Sequence, residues 1–243
     1  MENLVLLHAF PFDSRMFDSV RADLSAAATM LTPDLRGFGS GPPLDDATPD
    51  LALLADDVVD AMDAAGMDRA VLGGVSMGGY VALALLRRHP KRVKGLVLVD
   101  TRSGPDDAAA VERRQGVAAR ADGGDVASGP DAIAPLVAAG SSDDIRATLA
   151  AIADSVPAAT IAWAQRAMAG RPDSTAVLAA ASVPVLIVVG EDDAVTPPAA
   201  AHEMAAAARD AELVELPGAG HLTPAEDPEG FAVVVLDWLS RRF

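Results

Sequence analysis

Cysteine is absent from this chain of 243 residues. Disulfide frameworks and thiolate metal sites are therefore excluded. A long hydrophobic run is missing too, because no apolar stretch approaches the ~20 residues that a membrane-spanning helix requires. The first residues, Met1 to Asn3, lack the basic region of a signal peptide, and the apolar run Leu4–Leu7 is too short for its hydrophobic region. We therefore expect a cytoplasmic protein without a membrane partner.

Basic residues are few: 19 lysines and arginines stand against 35 acidic residues, and the formal net charge is −16. Such a surface repels phosphate backbones and anionic membranes, so no nucleic-acid partner is expected. The only lysines are Lys91 and Lys94, and the arginines are scattered along the sequence. No motif predicts a basic pocket, and the acidity is interpreted as a well-hydrated surface. The sequence carries no signal for an oligomeric state.

Short apolar runs recur at lengths typical of buried parallel strands, and helical patterns separate most of them. Thr48-Pro49-Asp50 is a helix start signal, with proline at the first helical position, and Asp227-Pro228 repeats it. Strands that alternate with helices predict a doubly wound, mostly parallel α/β sheet. The predicted strands are Leu4–Leu7, Thr29–Leu31, Ala70–Gly73, Gly95–Val99, Val185–Val189 and Leu213–Leu216.

The segment 103–181 interrupts that alternation. It is rich in alanine, contains no convincing strand and is punctuated by glycine and proline. We interpret it as a small helical cap inserted into a core formed by residues 1–102 and 182–243. Ordinary crossover helices with a loop are the alternative. Trp163 and Met168 are candidates for the substrate pocket or for the interior of the cap.

Gly74-Val75-Ser76-Met77-Gly78 fits the G-x-S-x-G pattern, in which a nucleophilic serine lies on a sharp turn between a strand and a helix. An apolar run precedes the motif and a helical pattern follows it, as that turn requires. The positive end of the following helix would then lie beside the hydroxyl. A glycine-rich turn without chemistry is the alternative.

A serine hydroxyl needs a base to act as a nucleophile at neutral pH. Of the four histidines, only His221 follows a predicted last strand in a glycine-containing loop; the others are His8, His89 and His202. The loop after the preceding strand offers three carboxylates, Glu191, Asp192 and Asp193. Serine, acid and histidine in this order along the chain are typical of one serine-hydrolase fold.

Five blocks of sequence carry a resemblance to the α/β-hydrolase family, in the branch of 3-oxoadipate enol-lactonases, non-haem haloperoxidases and small esterases. The resemblance implies Asp193 as the acid of the triad and the backbone N–H groups of Phe10 and Met77 as an oxyanion hole. The blocks follow the family's order: His8 to Pro11, Asp34 to Gly39, Gly74 to Gly79, Gly190 to Pro197 and Gly218 to His221.

Three positions depart from the family pattern. Ala9 replaces the usual glycine beside the oxyanion loop, and Gly41 stands where serine is common. The chain also begins on what resembles the family's third strand, without the N-terminal antiparallel hairpin. We therefore expect about six strands, with a new sheet edge that is a candidate for pairing or coverage.

The sequence thus predicts a serine hydrolase that cleaves a small-molecule carboxylic ester or lactone through an acyl-enzyme. Two alternatives remain, an acyltransferase with the same triad and a small-molecule receptor with weak hydrolysis. No metal-ligand cluster or phosphate-binding loop is present, so neither a metal nor another cofactor is expected. Phe10-Pro11 resembles the haloperoxidase loop and implies perhydrolysis as a side activity. Arg36 and Arg102 are interpreted as structural rather than substrate-binding.

Overall fold

A computed structural model describes residues 1–46 and 48–243, and its centre is one sheet. The six strands of the described chain lie in the order β2-β1-β3-β4-β5-β6, and all of their pairings are parallel. The predicted α/β class and strand number are confirmed. The strands are β1 (Glu2–Leu7), β2 (Ala28–Leu31), β3 (Ala70–Val75), β4 (Val93–Val99), β5 (Val185–Gly190) and β6 (Ala211–Leu216).

Helices cover both faces of the sheet, because neighbouring residues of each buried strand point to opposite sides. Val5 and Leu7 of β1 join one apolar cluster, and Leu4 and Leu6 join the other. The first cluster contains α2 (Leu51–Ala64), α3 (Met77–Arg88) and α9 (Pro198–Ala207). The second contains α1 (Asp18–Ser25) and α11 (Pro228–Arg242), which follows the short helix α10 (Thr223–Glu226).

The two helix start signals differ in outcome. Asp227 caps α11 as predicted, and its side chain accepts a hydrogen bond from the backbone N–H of Gly230. The N-cap of α2 is Asp50, not Thr48, and its carboxylate accepts from the N–H of Ala52. An aspartate at this position satisfies a first-turn N–H as well as threonine does, which moves the start of the helix by two residues.

Helices also fill the segment between β4 and β5. They are α4 (Ala108–Asp122), α5 (Pro130–Ile133), α6 (Asp143–Ala153), α7 (Ala158–Ala169) and α8 (Thr175–Ala180). Thr160 of α7 donates a hydrogen bond to the carbonyl of Gly37 over 2.9 Å, which ties this segment to the core. The division into core and cap stays a prediction.

Within the described ranges, no single helix is long and apolar enough to cross a membrane, and the one pair that meets those criteria jointly, α6 with α7, is bent by 95°.

Candidate active site

Ser76 lies between β3 and α3 with φ 51° and ψ −110°, a backbone conformation that L-residues rarely adopt. Its N–H donates to the carbonyl of Val99 over 2.9 Å, and its own carbonyl accepts from Thr101 Oγ1 over 2.8 Å. These bonds to the neighbouring strand hold the turn in its strained form. The hydroxyl is thereby fixed at the carboxyl end of the sheet.

Gly74 and Gly78 of the motif are required because other backbone segments pass very close to their Cα atoms. A Cβ at Gly78 would overlap the backbone carbonyl of Leu7, and a Cβ at Gly74 would overlap the backbone of Gly78. Strand and helix therefore pass each other with no room for a side chain. This packing explains why small residues flank the serine on both sides.

Ser76, His221 and Asp193 are brought together from three loops. Ser76 Oγ lies 2.8 Å from His221 Nε2, and His221 Nδ1 lies 2.8 Å from Asp193 Oδ2. His221 and Asp193 are each 3% exposed, so this hydrogen-bond chain is shielded from water except at the serine. The geometry matches a nucleophile, a base and an orienting acid.

Asp193 is held by the loop that follows it. Its Oδ1 accepts from the backbone N–H groups of Val195 (2.8 Å) and Thr196 (2.9 Å), and its Oδ2 accepts from Thr196 Oγ1 (2.7 Å). Burial by itself would raise the pKa of Asp193. The hydrogen bond and charge of His221, together with Thr196, outweigh burial and hold that pKa below its ordinary value. The acid is therefore ionised when it faces the histidine.

The neighbouring acids of the loop, Glu191 and Asp192, are exposed to solvent. Neither has a hydrogen bond to His221 in the described part of the chain. Of the three carboxylates that the sequence leaves open, only Asp193 turns inward.

The other histidines lie elsewhere. His8 is fully buried; its Nε2 accepts from the N–H of Leu35 over 3.0 Å, and its Nδ1 lies 3.0 Å from the carbonyl of Ala9. Burial lowers the pKa of His8, and the backbone bond to Ala9 offsets this only in part. His8 is thus a neutral structural residue. His89 and His202 pair with the carboxylates of Asp56 and Glu215.

One buried carboxylate of this region, Asp100, was not predicted. It follows β4, has a φ of 45° and is 0% exposed. Its oxygens accept from the N–H of Gly190 (3.0 Å) and from the N–H and hydroxyl of Thr223 (both 2.9 Å). Asp100 thus joins the loop that carries Asp193 to the loop that carries His221. A charged residue directly after a buried strand was the available sequence signal.

The pKa of Asp100 is raised to about 7, chiefly by burial. The charge of His221 and the hydrogen bonds from Thr223 lower it, and the charge of Asp193 raises it further. Asp100 and Asp193 therefore differ in charge state below neutral pH, although both are buried and hydrogen-bonded.

Phe10 and Met77 are the two residues whose backbone N–H groups the family resemblance implies as the oxyanion hole. Met77 is the first residue of α3, so its N–H is among those that a helix leaves without an internal acceptor. Phe10 contributes to the same cavity wall as Ser76, and the Phe10–Pro11 peptide bond is cis. This placement agrees with the oxyanion hole implied by the family resemblance, which remains a prediction.

Ala9 is accommodated without strain. Positive φ values at non-glycine residues of the described chain occur at Asp45, Ser76 and Asp100, so Ala9 keeps a negative φ. Its N–H donates to Met16 Sδ over 3.2 Å, and its carbonyl accepts from the N–H of Phe12 over 2.9 Å. The alanine therefore leaves this loop anchored.

A cavity of about 320 Å³ opens above Ser76 and His221, and we call it the ester cavity. Its volume is in the usual range for small-molecule sites. Helices of the 103–181 segment supply much of its wall. Ile161, Gln165 and Met168 contribute from one face of α7, as their spacing of four and three residues requires.

Met168 is among the residues that line the ester cavity, whereas Trp163 is not among the described lining residues. Trp163 is 6% exposed and belongs to the apolar cluster of α2 and α3. It follows Ile161 by two residues, which turns it ~200° around the helix axis, away from the cavity. Trp163 therefore packs the segment onto the core.

Arg36 forms a two-bond ion pair with Asp57, at 2.8 and 2.6 Å, and does not line the ester cavity within the described residues. Arg102 donates to the carbonyl of Val195 over 2.8 Å. Arg114 does line the ester cavity, and no sequence motif predicts this position. Its Nε lies 2.5 Å from Asp106, and its Nη1 lies 3.2 Å from Gln165 Oε1.

Known proteins share this architecture. The chain is 32% identical to the pimeloyl-(acyl-carrier protein) methyl ester esterase of Aromatoleum aromaticum over 97% of both chains. A thermophilic esterase from Thermogutta terrifontis superposes with a TM-score of 0.93 at 34% identity, covering 99% of this chain and 90% of that one. The enol-lactonase of Burkholderia xenovorans gives a TM-score of 0.87 at 26% identity, with 98% and 91% covered. The model of the alpha/beta hydrolase family matches residues 4–234 of this chain. The chain belongs to the alpha/beta hydrolase family.

Proposed function

We propose that this protein hydrolyses carboxylic esters or lactones, with Ser76 as nucleophile, His221 as general base and Asp193 as the acid that orients the histidine. One observation carries the proposal: an unbroken hydrogen-bond chain from Ser76 Oγ through His221 to Asp193, each step 2.8 Å, at the wall of a cavity. Such a chain supplies the activated nucleophile that acyl transfer requires.

The reaction follows from the positions of these groups. Ser76 Oγ bonds to the acyl carbon while its proton passes to His221 Nε2. The N–H groups of Phe10 and Met77 stabilise the oxyanion, at ~3 kcal/mol per donor in comparable sites. The intermediate expels the alcohol, which takes the proton from His221. Water then attacks the acyl-enzyme in the same way, releasing the carboxylic acid and restoring Ser76.

The ester cavity favours a substrate with an apolar acyl or alcohol group. Val117, Ile133, Leu136 and Ile161 contribute apolar wall. The charged side chains of the described lining are Arg114, Arg120 and Asp125, and the last two lie 3.8 Å apart. Asp106 accepts from both Arg114 and Arg171, so two cations share one carboxylate. The charge of Arg114 is therefore not fully neutralised, which favours esters and lactones that carry a further polar or anionic group. The esterase and enol-lactonase names of the relatives agree with this substrate class.

Turnover of short p-nitrophenyl esters and simple lactones by the wild type, with Ser76→Ala as the blank, tests the proposal. We expect repeated turnover in the wild type and none above background in the variant. One slow acylation event without turnover would indicate a receptor. Faster acyl transfer to an added alcohol than to water would indicate an acyltransferase. Activity that survives in Ser76→Ala would contradict the assignment of the nucleophile.

We also propose perhydrolysis as a side activity, because Pro11 lies in the cavity wall beside Ser76. Hydrogen peroxide replaces water in the second step: its oxygen bonds to the acyl carbon, the Ser76 ester bond breaks, and a peracid leaves. Peracid formation from acetate and peroxide is compared in the wild type, Pro11→Leu and Ser76→Ala. We expect formation in the wild type that falls in Pro11→Leu while ester hydrolysis persists. A wild type that hydrolyses esters but forms no peracid would refute the side activity.

A further inference from the structure

A second cavity adjoins the ester cavity, and Tyr80 contributes to the walls of both. Its volume is about 450 Å³, which is sufficient for a small organic ligand. It lies where α2, α3 and the loop after α7 meet. The lining contains one acidic side chain, Asp50, and four arginines: Arg87, Arg88, Arg102 and Arg171. A chain of net charge −16 thus concentrates positive charge around one cavity, which we call the arginine cavity.

Two of these arginines are paired with carboxylates. Arg88 donates to both oxygens of Asp56, at 2.9 and 2.7 Å. Arg171 lies 2.7 Å from Asp106, and its guanidinium stacks over the ring of Tyr80 with 4.1 Å to the ring centroid. Both side chains therefore serve as fixed walls of the arginine cavity.

Arg87 and Arg102 differ, because neither has an ion-pair partner in the part of the chain that the structure describes. Arg87 Nη2 donates to the carbonyl of Asp173 (2.6 Å) and to Ser174 Oγ (3.1 Å), and Arg102 Nη2 donates to the carbonyl of Val195. The Nε of Arg102 is buried and has no hydrogen-bond acceptor among the described residues. Arg102 is partly buried and Arg87 is exposed, and a guanidinium without a carboxylate partner keeps its charge available to a bound anion.

The two segments that carry these arginines are joined to each other. The N–H of Ser174, whose hydroxyl accepts from Arg87, donates to the carbonyl of Ser103 over 2.9 Å, and Ser103 follows Arg102. Both guanidinium groups therefore belong to one fixed frame. Leu83, Ala84 and Ala167 give the same cavity an apolar surface.

We propose that the arginine cavity binds a small organic carboxylate. Its carboxylate group lies between Arg87 and Arg102, and its apolar body lies against Leu83 and the ring of Tyr80. Paired guanidinium donors suit the planar carboxylate, and the apolar wall distinguishes an organic acid from inorganic phosphate. This site requires neither Ser76 nor the hydrolytic activity proposed above.

The test measures binding of benzoate to the full chain by isothermal titration calorimetry, with benzamide as its uncharged counterpart. We expect benzoate to bind at least about tenfold more tightly than benzamide, because a charge-assisted hydrogen bond is lost with the amide. Arg87→Gln and Arg102→Gln should each weaken benzoate binding by about tenfold or more. Arg209→Gln, a change at an exposed arginine outside the cavity, should alter it by less than about twofold.

Two further variants locate the ligand. Ala84→Leu fills the arginine cavity from α3 and should abolish benzoate binding even if the arginine variants are unstable; thermal unfolding checks that it is folded. Val126→Phe changes a residue that lines the ester cavity and not the arginine cavity, and it should leave benzoate binding unchanged. The proposal is wrong if benzoate does not bind, if Val126→Phe weakens binding more than Arg87→Gln does, or if phosphate binds as tightly as benzoate.

Discussion

The ends of two neighbouring strands hold two buried carboxylates with different properties. Asp100 follows β4 and Asp193 follows β5; they are 0% and 3% exposed, and each accepts three hydrogen bonds from loop donors other than histidine. Only Asp193 contacts His221, and its pKa is lowered, whereas the pKa of Asp100 is raised to about 7. Burial alone therefore does not decide the charge of an acid. The hydrogen-bonding groups in direct contact with the acid also contribute.

Removal of His221, which contacts both Ser76 and Asp193, should have the largest effect. His221→Ala leaves Ser76 without a base, and we expect kcat for ester hydrolysis to fall by about 10⁵-fold or more, as for other serine hydrolases whose triad acts as a unit. His202→Ala, which removes an exposed histidine paired with Glu215, is the matched control and should retain wild-type kcat. Steady-state kinetics with a p-nitrophenyl ester distinguishes the two. Comparable losses in both variants would contradict the assignment of the base.

Substitution of Asp193, the acid that orients His221, should have the second-largest effect. Asp193→Asn should lower kcat by about 10³ to 10⁴, because the amide holds the wrong histidine tautomer. Asp192→Asn, one residue away and exposed, should cost less than about tenfold, since it removes a surface charge only. The reverse ranking of the two kcat values would move the role to Asp192.

Substitution of Asp100 should change the free energy of unfolding more than the rate of ester hydrolysis. Its unfolded form ionises near 3.8, while the folded form keeps its proton to about 7, so the unfolded chain binds fewer protons between these values. The free energy of unfolding of the wild type should therefore fall relative to Asp100→Asn as the pH rises through this window, by at most about 1.4 kcal/mol per pH unit. Below and above the window the difference should be constant. Urea unfolding of both proteins at several pH values measures it, and a difference that grows with pH in favour of the wild type would contradict the raised pKa.

Thr196 should give the smallest effect, because it supports Asp193 without contacting the serine. Thr196→Val removes the hydroxyl that lies 2.7 Å from Asp193 Oδ2 and 3.2 Å from His221 Nδ1. Loss of one such hydrogen bond is expected to lower kcat/KM by about tenfold. Thr196→Ser restores the hydroxyl and should recover most of the rate. A rate equal to wild type in Thr196→Val would show that the backbone bonds from Val195 and Thr196 position the acid without help.

The strands and the three loops around Ser76 could be predicted from the sequence because each depends on a local pattern. An apolar run, a glycine-flanked serine and a glycine-containing loop before His221 are all contiguous. Asp100 was missed since a single acid after a strand has no local pattern that separates a buried carboxylate from an exposed one. Its burial is decided by Gly190 and Thr223, which are 90 and 123 residues away.

The arginine cavity was missed for a related reason. Arg87, Arg102 and Arg171 are scattered along the chain, and no motif predicts a basic pocket, but the fold brings them to one cavity. The sequence left Trp163 open between the pocket and the interior of the cap, and the direction in which α7 turns decides its position. Long-range packing thus determines what local patterns leave open.

The identity of the acylated residue tests the central claim most directly. The protein is mixed with p-nitrophenyl acetate, quenched in acid within the first turnover and digested with trypsin. The peptide from Ala70 to Arg87 contains Ser76 as its only serine. Mass spectrometry should find one acetyl group on Ser76 in this peptide, in proportion to the p-nitrophenol released in the initial burst. Turnover that leaves this peptide unmodified, with the acetyl group on another residue, would contradict the proposed mechanism.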